Sequence, residues 1–174
     1  MSGLVGQTGV RSGIVGSPTG HVINWANGTN TYTSELTVST SGTDHTALKA
    51  ILKTTSTSNK MVVDVFLPGV YNNGANYRAL HVGFRYDTGG GATQLGSRSF
   101  ITSFVGYENP ANALIISCHV MLSCAVPAVG TLEIFPRLQA NSGDVVVYAN
   151  AGGTSGGGSY IYDEASIVAY EVKQ

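Results

Sequence analysis

The sequence predicts an all-β fold, an antiparallel β-sandwich or jelly roll, and three observations carry that expectation. First, apolar and polar residues alternate with period two in several short runs. Leu80, Val82, Phe84 and Tyr86 alternate with His81, Gly83 and Arg85, and Leu132, Ile134 and Leu138 with Thr131, Glu133 and Arg137. That period buries one face of an extended chain and wets the other, which is a strand signature. Second, Gly, Asn, Ser and Pro clusters separate the runs where turns are needed. Third, only residues 44–54 allow a helix to be argued, and Leu48, Ala50 and Leu52 alternate there with Lys49 and Lys53. Strand is the preferred reading of that stretch as well.

In chain order, residues 1–20 repeat imperfectly: Gly3-Leu4-Val5-Gly6 returns as Gly13-Ile14-Val15-Gly16. Apolar pairs set between glycines build no face that could bury itself, so this segment is either a flexible tail or an arm laid against a neighbour. It is taken as an extended, Gly-rich docking arm, with residues 21–174 as the folded domain. Val22–Trp25 and Thr31–Val38 flank Asn27-Gly28-Thr29-Asn30, which suggests a hairpin. Trp25, the single tryptophan, is expected as an anchor where arm meets domain. Met61–Leu67 reads as a strand ending at Pro68-Gly69, and Tyr71–Tyr77 as a loop. Ala79–Tyr86 and Ser97–Val105 read as strands around a Gly-rich turn at 87–92, and Tyr107–Asn112 as a further loop. Residues 113–149 carry the densest apolar content and read as a central antiparallel meander of three strands, Ala113–Ala125, Thr131–Gln139 and Asp144–Tyr148. Pro136 should force an edge position or a bulge. A Gly-rich loop over 150–159 leads to a closing strand, Ser166–Val172. Nine or ten strands result, the content of a sandwich or jelly roll.

Composition narrows the function classes. The 174 residues fit one domain with a genuine core. Charged residues make up only 11%, against a usual ~25%. With a net charge of −1 there is no basic footprint for nucleic acid or an anionic membrane. No segment approaches the ~20 apolar residues of a membrane span, and the N-terminus lacks the charged and apolar regions of a signal peptide. Asn27-Gly28-Thr29 fits the glycosylation sequon but reads more simply as an Asn-Gly turn. Cys118 and Cys124 would lie roughly 20 Å apart along one strand, beyond disulfide reach. Buried free thiols, made in a reducing compartment, are expected.

Nothing in the sequence asks for catalysis. His21, His45, His81 and His119 are scattered, without metal-ligand spacing. His119 is expected in the core or at a subunit contact. Asp163 and Glu164 are the only adjacent carboxylates, and neighbours on an extended chain point to opposite sides. The Gly clusters at 89–91 and 152–158 lack the residues of a phosphate-binding loop, no Gly-x-Ser-x-Gly elbow is present, and no loop gathers the carboxylates of a calcium site. No enzyme, metal or cofactor is therefore expected. The nine tyrosines are more informative. Tyr71, Tyr77, Tyr107 and Tyr160, with Asn73, sit in or beside expected loops. Each ring either tucks onto the domain's own rim or forms a contact surface.

Several patterns resemble a known group. The opening GLVGQTGVRSGIVGSPTG resembles the N-terminal arms of small virion structural proteins of marine tailed phages. The Ser/Thr turn in TTSTSNK before MVVDVFL, and the Gly-Gly-Gly-Ser segment before a last strand ending in Glu-x-Lys (SIVAYEVK), are similar to that group too. The resemblance implies a C1q/TNF-like jelly roll, a homotrimer, and a role as a head decoration, head fibre or tail-fibre knob. The virion would be its location after synthesis in the host cytoplasm. Leu4, Val5, Arg11, Ile14 and Val15 would dock the arm on other virion proteins. Loops carrying Tyr71, Asn73, Tyr77, Tyr107 and Tyr160 would face outward, with a host surface glycan as candidate ligand. No catalytic residue transfers with the resemblance.

Overall fold

A computed structural model describes residues 20–30, 36–72, 78–106, 115–141, 145–148, 153–155, 158–160 and 164–174. The strands are β1 (Val22–Asn30), β2 (Leu36–Val38), β3 (Thr43–Asp44), β4 (Ala50–Thr54), β5 (Lys60–Asn72), β6 (Arg78–Asp87) and β7 (Thr93–Gln94). They continue as β8 (Thr102–Gly106), β9 (Ile115–Ala125), β10 (Gly130–Ala140), β11 (Val145–Tyr148), β12 (Gly153–Ser155), β13 (Gly158–Tyr160) and β14 (Ala165–Val172). All pairings are antiparallel, and no helix occurs among the described residues. The all-β expectation holds.

Two six-stranded sheets share one core. In the first, β5 pairs along one side with β9 and along the other with β14 and then β11. β1 adds outside β14, and β2 outside β11. In the second, β10 is central, with β6 on one side and β4 and β3 in line on the other. β7 and β8 add outside β6. Met61, Val63, Val65, Val120, Ile167 and Ala169 from the first sheet meet Leu80, Val82, Phe84, Leu132, Ile134 and Leu138 from the second in one buried cluster. Every one of these sits on the apolar parity of its strand. The alternation is cleanest in β14, where buried and half-buried residues alternate over all eight positions. Cys118 is buried and Cys124 half-buried, both as free thiols. Burial pushes their pKa values up to about 12 and about 11, which keeps both protonated and unreactive at neutral pH.

Several sequence expectations are corrected. Residues 113–149 do not form a meander: β9 and β11 belong to the first sheet and β10 to the second, so the chain crosses the core twice. The stretch 27–30 is not a hairpin turn but the end of β1. Gly28 is required there because a Cβ would lie 1.8 Å from the Lys49 carbonyl oxygen, where 49–50 crosses the strand. Pro68-Gly69 does not end its strand. β5 runs on to Asn72, and the pair coincides with a register shift between Leu67 and Val70. Tyr71 therefore lies in a strand, while residues 97–101 lie outside one. Two short strands, β12 and β13, occupy part of the expected 150–159 loop. Pro136 sits in the central strand without a bulge, opposite Phe84. Its carbonyl accepts from His45 N at 2.9 Å in the gap between β3 and β4, so its missing N–H faces the one place where the neighbouring strand is interrupted.

One buried charge ties the ends of the fold together. Glu171 on β14 is 0% exposed and has no cation beside it among the described residues. Its carboxylate accepts from Asn24 Nδ2 (2.9 Å), Thr55 N (2.9 and 3.0 Å), Thr55 Oγ1 (2.8 Å), Ser56 N (3.1 Å) and Asn59 Nδ2 (2.7 Å). Burial pushes its pKa up, but hydrogen bonds from Asn59, Thr55 and Asn24 outweigh this and bring it down to about 2. The TTSTSNK turn and the SIVAYEVK strand thus meet at one carboxylate.

Candidate functional site

Two surfaces depart from what a sandwich alone needs. The first is the outer face of β1, β14, β5 and β9. Cross-strand rows place Trp25 beside Tyr170, Val62 and Ser123, then Asn27 beside Val168, Asp64 and Met121. The next row is Thr29, Ser166, Phe66 and His119, so one parity of four strands gathers Trp25, Tyr170, Val62, Val168, Met121 and Phe66. An outward face normally carries polar residues, yet Trp25 is 64% and Met121 67% exposed. His119 is also on this face, 2.5 Å from the Asp64 carboxylate. Of the two places expected for it, core or subunit contact, the core is excluded: Cys118 and Val120 take the inward positions on either side of it. Trp25, expected to anchor the arm to the domain, stands open on the same face.

The second surface lies on the outer side of the other sheet. Asp44 on β3 stands directly across from Arg137 on β10, and Arg137 across from Gly83 on β6. Arg85 follows two residues along β6, on the same parity. Asp44 accepts from both: Arg137 Nη1 at 2.7 Å and Arg85 Nη1 at 2.9 Å. Arg85 Nη2 also donates to the Ala92 carbonyl, and Arg137 Nη2 to the Ser41 carbonyl at 3.3 Å. Each guanidinium is thus fixed at two points.

Gly83 brings residues 97–101 over the same face, since a Cβ would lie 1.9 Å from the Ser99 carbonyl oxygen. Ile101 N donates to Val82 O at 2.9 Å, and Leu95 N to Phe84 O at 2.9 Å, which hold that segment to the strand. Ser99 Oγ donates to Gln94 Oε1 at 2.8 Å, and Gln94 Nε2 to the Gly96 carbonyl at 3.1 Å. Phe84, Arg85, Gln94, Ser99 and Arg137 line the resulting depression of about 230 Å³. Two cations face one carboxylate, so the cluster keeps a positive charge.

Of the residues singled out from the sequence, Leu4, Val5, Arg11, Ile14, Val15, Asn73, Tyr77 and Tyr107 lie outside the described residues. Tyr71 is placed in β5 opposite Ile115, and Tyr160 in β13 opposite Gly153. The arginine cluster was not foreseen. Among the described residues no three His, Cys, Asp or Glu side chains gather as a metal site. No family model matches the sequence, and no curated protein matches it.

Proposed function

We propose that this chain is a non-enzymatic structural protein of a phage particle: a C1q/TNF-like jelly roll that forms a homotrimeric surface knob, fixed to other virion proteins by its Gly-rich arm, residues 1–20. The observation that carries this reading is the apolar outer face of β1, β14, β5 and β9. A monomer would leave Trp25 and Met121 in water, and a symmetric contact with further copies would cover them. The repeated Gly-Leu-Val-Gly and Gly-Ile-Val-Gly of the arm supplies small apolar plugs at fixed spacing, suited to shallow sockets on a neighbouring protein. The reading covers a head decoration, a head fibre and a tail fibre alike.

Native mass spectrometry tests the assembly. The full chain is expected at the mass of three copies at micromolar concentration, and Met121→Lys, which places a charge in the contact without touching the core, is expected to be monomeric. A monomeric full chain sinks the reading. Removing residues 1–20 is expected to leave a folded trimer that no longer joins particles, scored by co-sedimentation with virions. A truncated protein that still assembles would refute the docking arm.

A second reading, a tip that adheres to a host surface glycan, is favoured by one specific observation: the two arginines beside Gln94 and Ser99 in a depression open to solvent.

A further inference from the structure

We propose that the depression between Arg85 and Arg137 binds a single hexuronate unit of an acidic polysaccharide, its carboxylate on the two guanidiniums and its hydroxyls on Gln94 and Ser99. The proposal rests on the ligand-binding reading and narrows it to one place and one chemical class.

Several features select that ligand. Asp44 and the carbonyls of Ala92 and Ser41 hold both guanidiniums before any ligand arrives, so little side-chain freedom is lost on binding. A guanidinium has five N–H groups, and those not given to these acceptors have no other acceptor among the described residues. They form a planar fork suited to a carboxylate. Two guanidiniums against one carboxylate leave room for a single further negative charge.

Gln94 and Ser99, next to the arginines, are neutral and already paired with each other. An amide and a hydroxyl that can exchange that bond for ligand hydroxyls suit a polyol, and an apolar ligand would strand them. The volume, about 230 Å³, falls below the roughly 300–1,000 Å³ of drug-sized pockets, so one ring fits rather than an oligosaccharide. With a net charge of −1 on the whole chain, a densely charged polyanion is disfavoured, whereas a polymer with one acid per sugar presents its charges singly.

The test is a titration of the full chain with sodium glucuronate, followed by NMR of the arginine Nε–H and glutamine side-chain signals. Glucose and sodium sulfate serve as the neutral and the bare-anion probes. Glucuronate is expected to shift Arg85, Arg137 and Gln94 saturably, with Kd on the order of 1 mM for a ligand of this size. Arg137→Gln is expected to weaken binding about tenfold or more. Because Arg137 also holds Asp44, Gln94→Ala is the second variant. It leaves the triad intact and is expected to weaken glucuronate several-fold at unchanged stability.

Equal shifts with glucose overturn recognition of the acid group and leave a glycan-binding tip standing. Sulfate binding as tightly as glucuronate, with Gln94→Ala without effect, overturns the sugar and leaves a bare anion site. Binding to a glycan array with Arg85, Arg137 and Gln94 unshifted sinks this location but not adhesion. No shift with glucuronate up to about 20 mM, well past the affinity expected, sinks the site outright.

Discussion

Glu171→Gln is expected to lower the unfolding free energy by about 3 kcal/mol at pH 7, the largest loss foreseen for any change that keeps side-chain size. The carboxylate satisfies donors from three separate places: Asn24 on β1, the backbone and side chain of Thr55 with Ser56 N in the 55–56 segment, and Asn59. An amide keeps one accepting oxygen and turns N–H groups toward N–H groups, so buried donors lose their acceptor at about 1–3 kcal/mol each. The pKa points the same way from the same cause: the hydrogen bonds that bring it from 4.5 to about 2 favour the charged carboxylate in the folded state. The sign follows from the direction: a carboxyl depressed in the folded state contributes fully above its unfolded pKa, and the contribution is lost as pH falls from about 4.5 toward 2.

His45, held down to about 4 by burial, adds an earlier loss. The unfolded chain takes up its proton below about 6.5 while the folded chain resists until about 4, so that stability fades over this higher window. Urea midpoints measured from pH 7 to pH 2 separate the two groups. Glu171→Gln should retain the slope between 6.5 and 4.5 and lose most of the slope below it. A wild-type slope surviving below pH 4.5 in the variant would show that other carboxylates carry the acid sensitivity.

Gly83→Ala is expected to cost about 2–3 kcal/mol, the upper part of the range of about 1–3 kcal/mol for forcing atoms into a filled space, and to abolish glucuronate binding as well. The added Cβ would stand 1.9 Å from Ser99 O and 2.9 Å from Ser99 C. These are backbone atoms, tethered beside β6 through Ile101 N, so no rotamer change relieves the collision. Either the strand or residues 97–101 must move, and Ser99 moves with them, out of reach of Gln94. Gly90→Ala supplies the contrast. Nothing lies within 4 Å of its Cβ position, and a change within about 0.5 kcal/mol is expected. A urea midpoint for Gly83→Ala equal to that of Gly90→Ala would show that the strand yields freely.

How much of this was legible depends on what each residue answers to. One-sided burial writes itself into local sequence, so the parity of 80–86 and 132–138 was read correctly. Pairing partners are not local. The apolar run at 115–125 and the alternating run at 130–140 look like neighbours in one sheet, yet nothing in either period tells a hairpin from a crossing. Gly28 misled because Asn-Gly is a turn signal, while its real constraint is a carbonyl from Lys49 that only the tertiary fold brings near. Pro136 followed a sound rule whose exception depends on a break in another strand. TTSTSNK and SIVAYEVK were both noticed as patterns, but their common reason, Glu171, is visible only where they meet. Arg85 and Arg137 lie on outward parities, where solvation is the default, and no spacing rule foretells that Asp44 collects both.

The pairing of β1 with β14 also sets the order in which the molecule can be made. The bond from Asn24 to Glu171 closes 147 residues, and β5 stays bare along one side of residues 60–66 until 165–172 arrive beside it. During translation the first sheet therefore waits as an incomplete template, with β1 and β5 each lacking the partner that belongs between them. Contacts this distant in sequence fold slowly, on the millisecond-to-second scale, and exposed strand edges recruit other strands. Many identical chains emerging side by side would be prone to exchange β14 between copies, each donating its strand to a neighbour's gap.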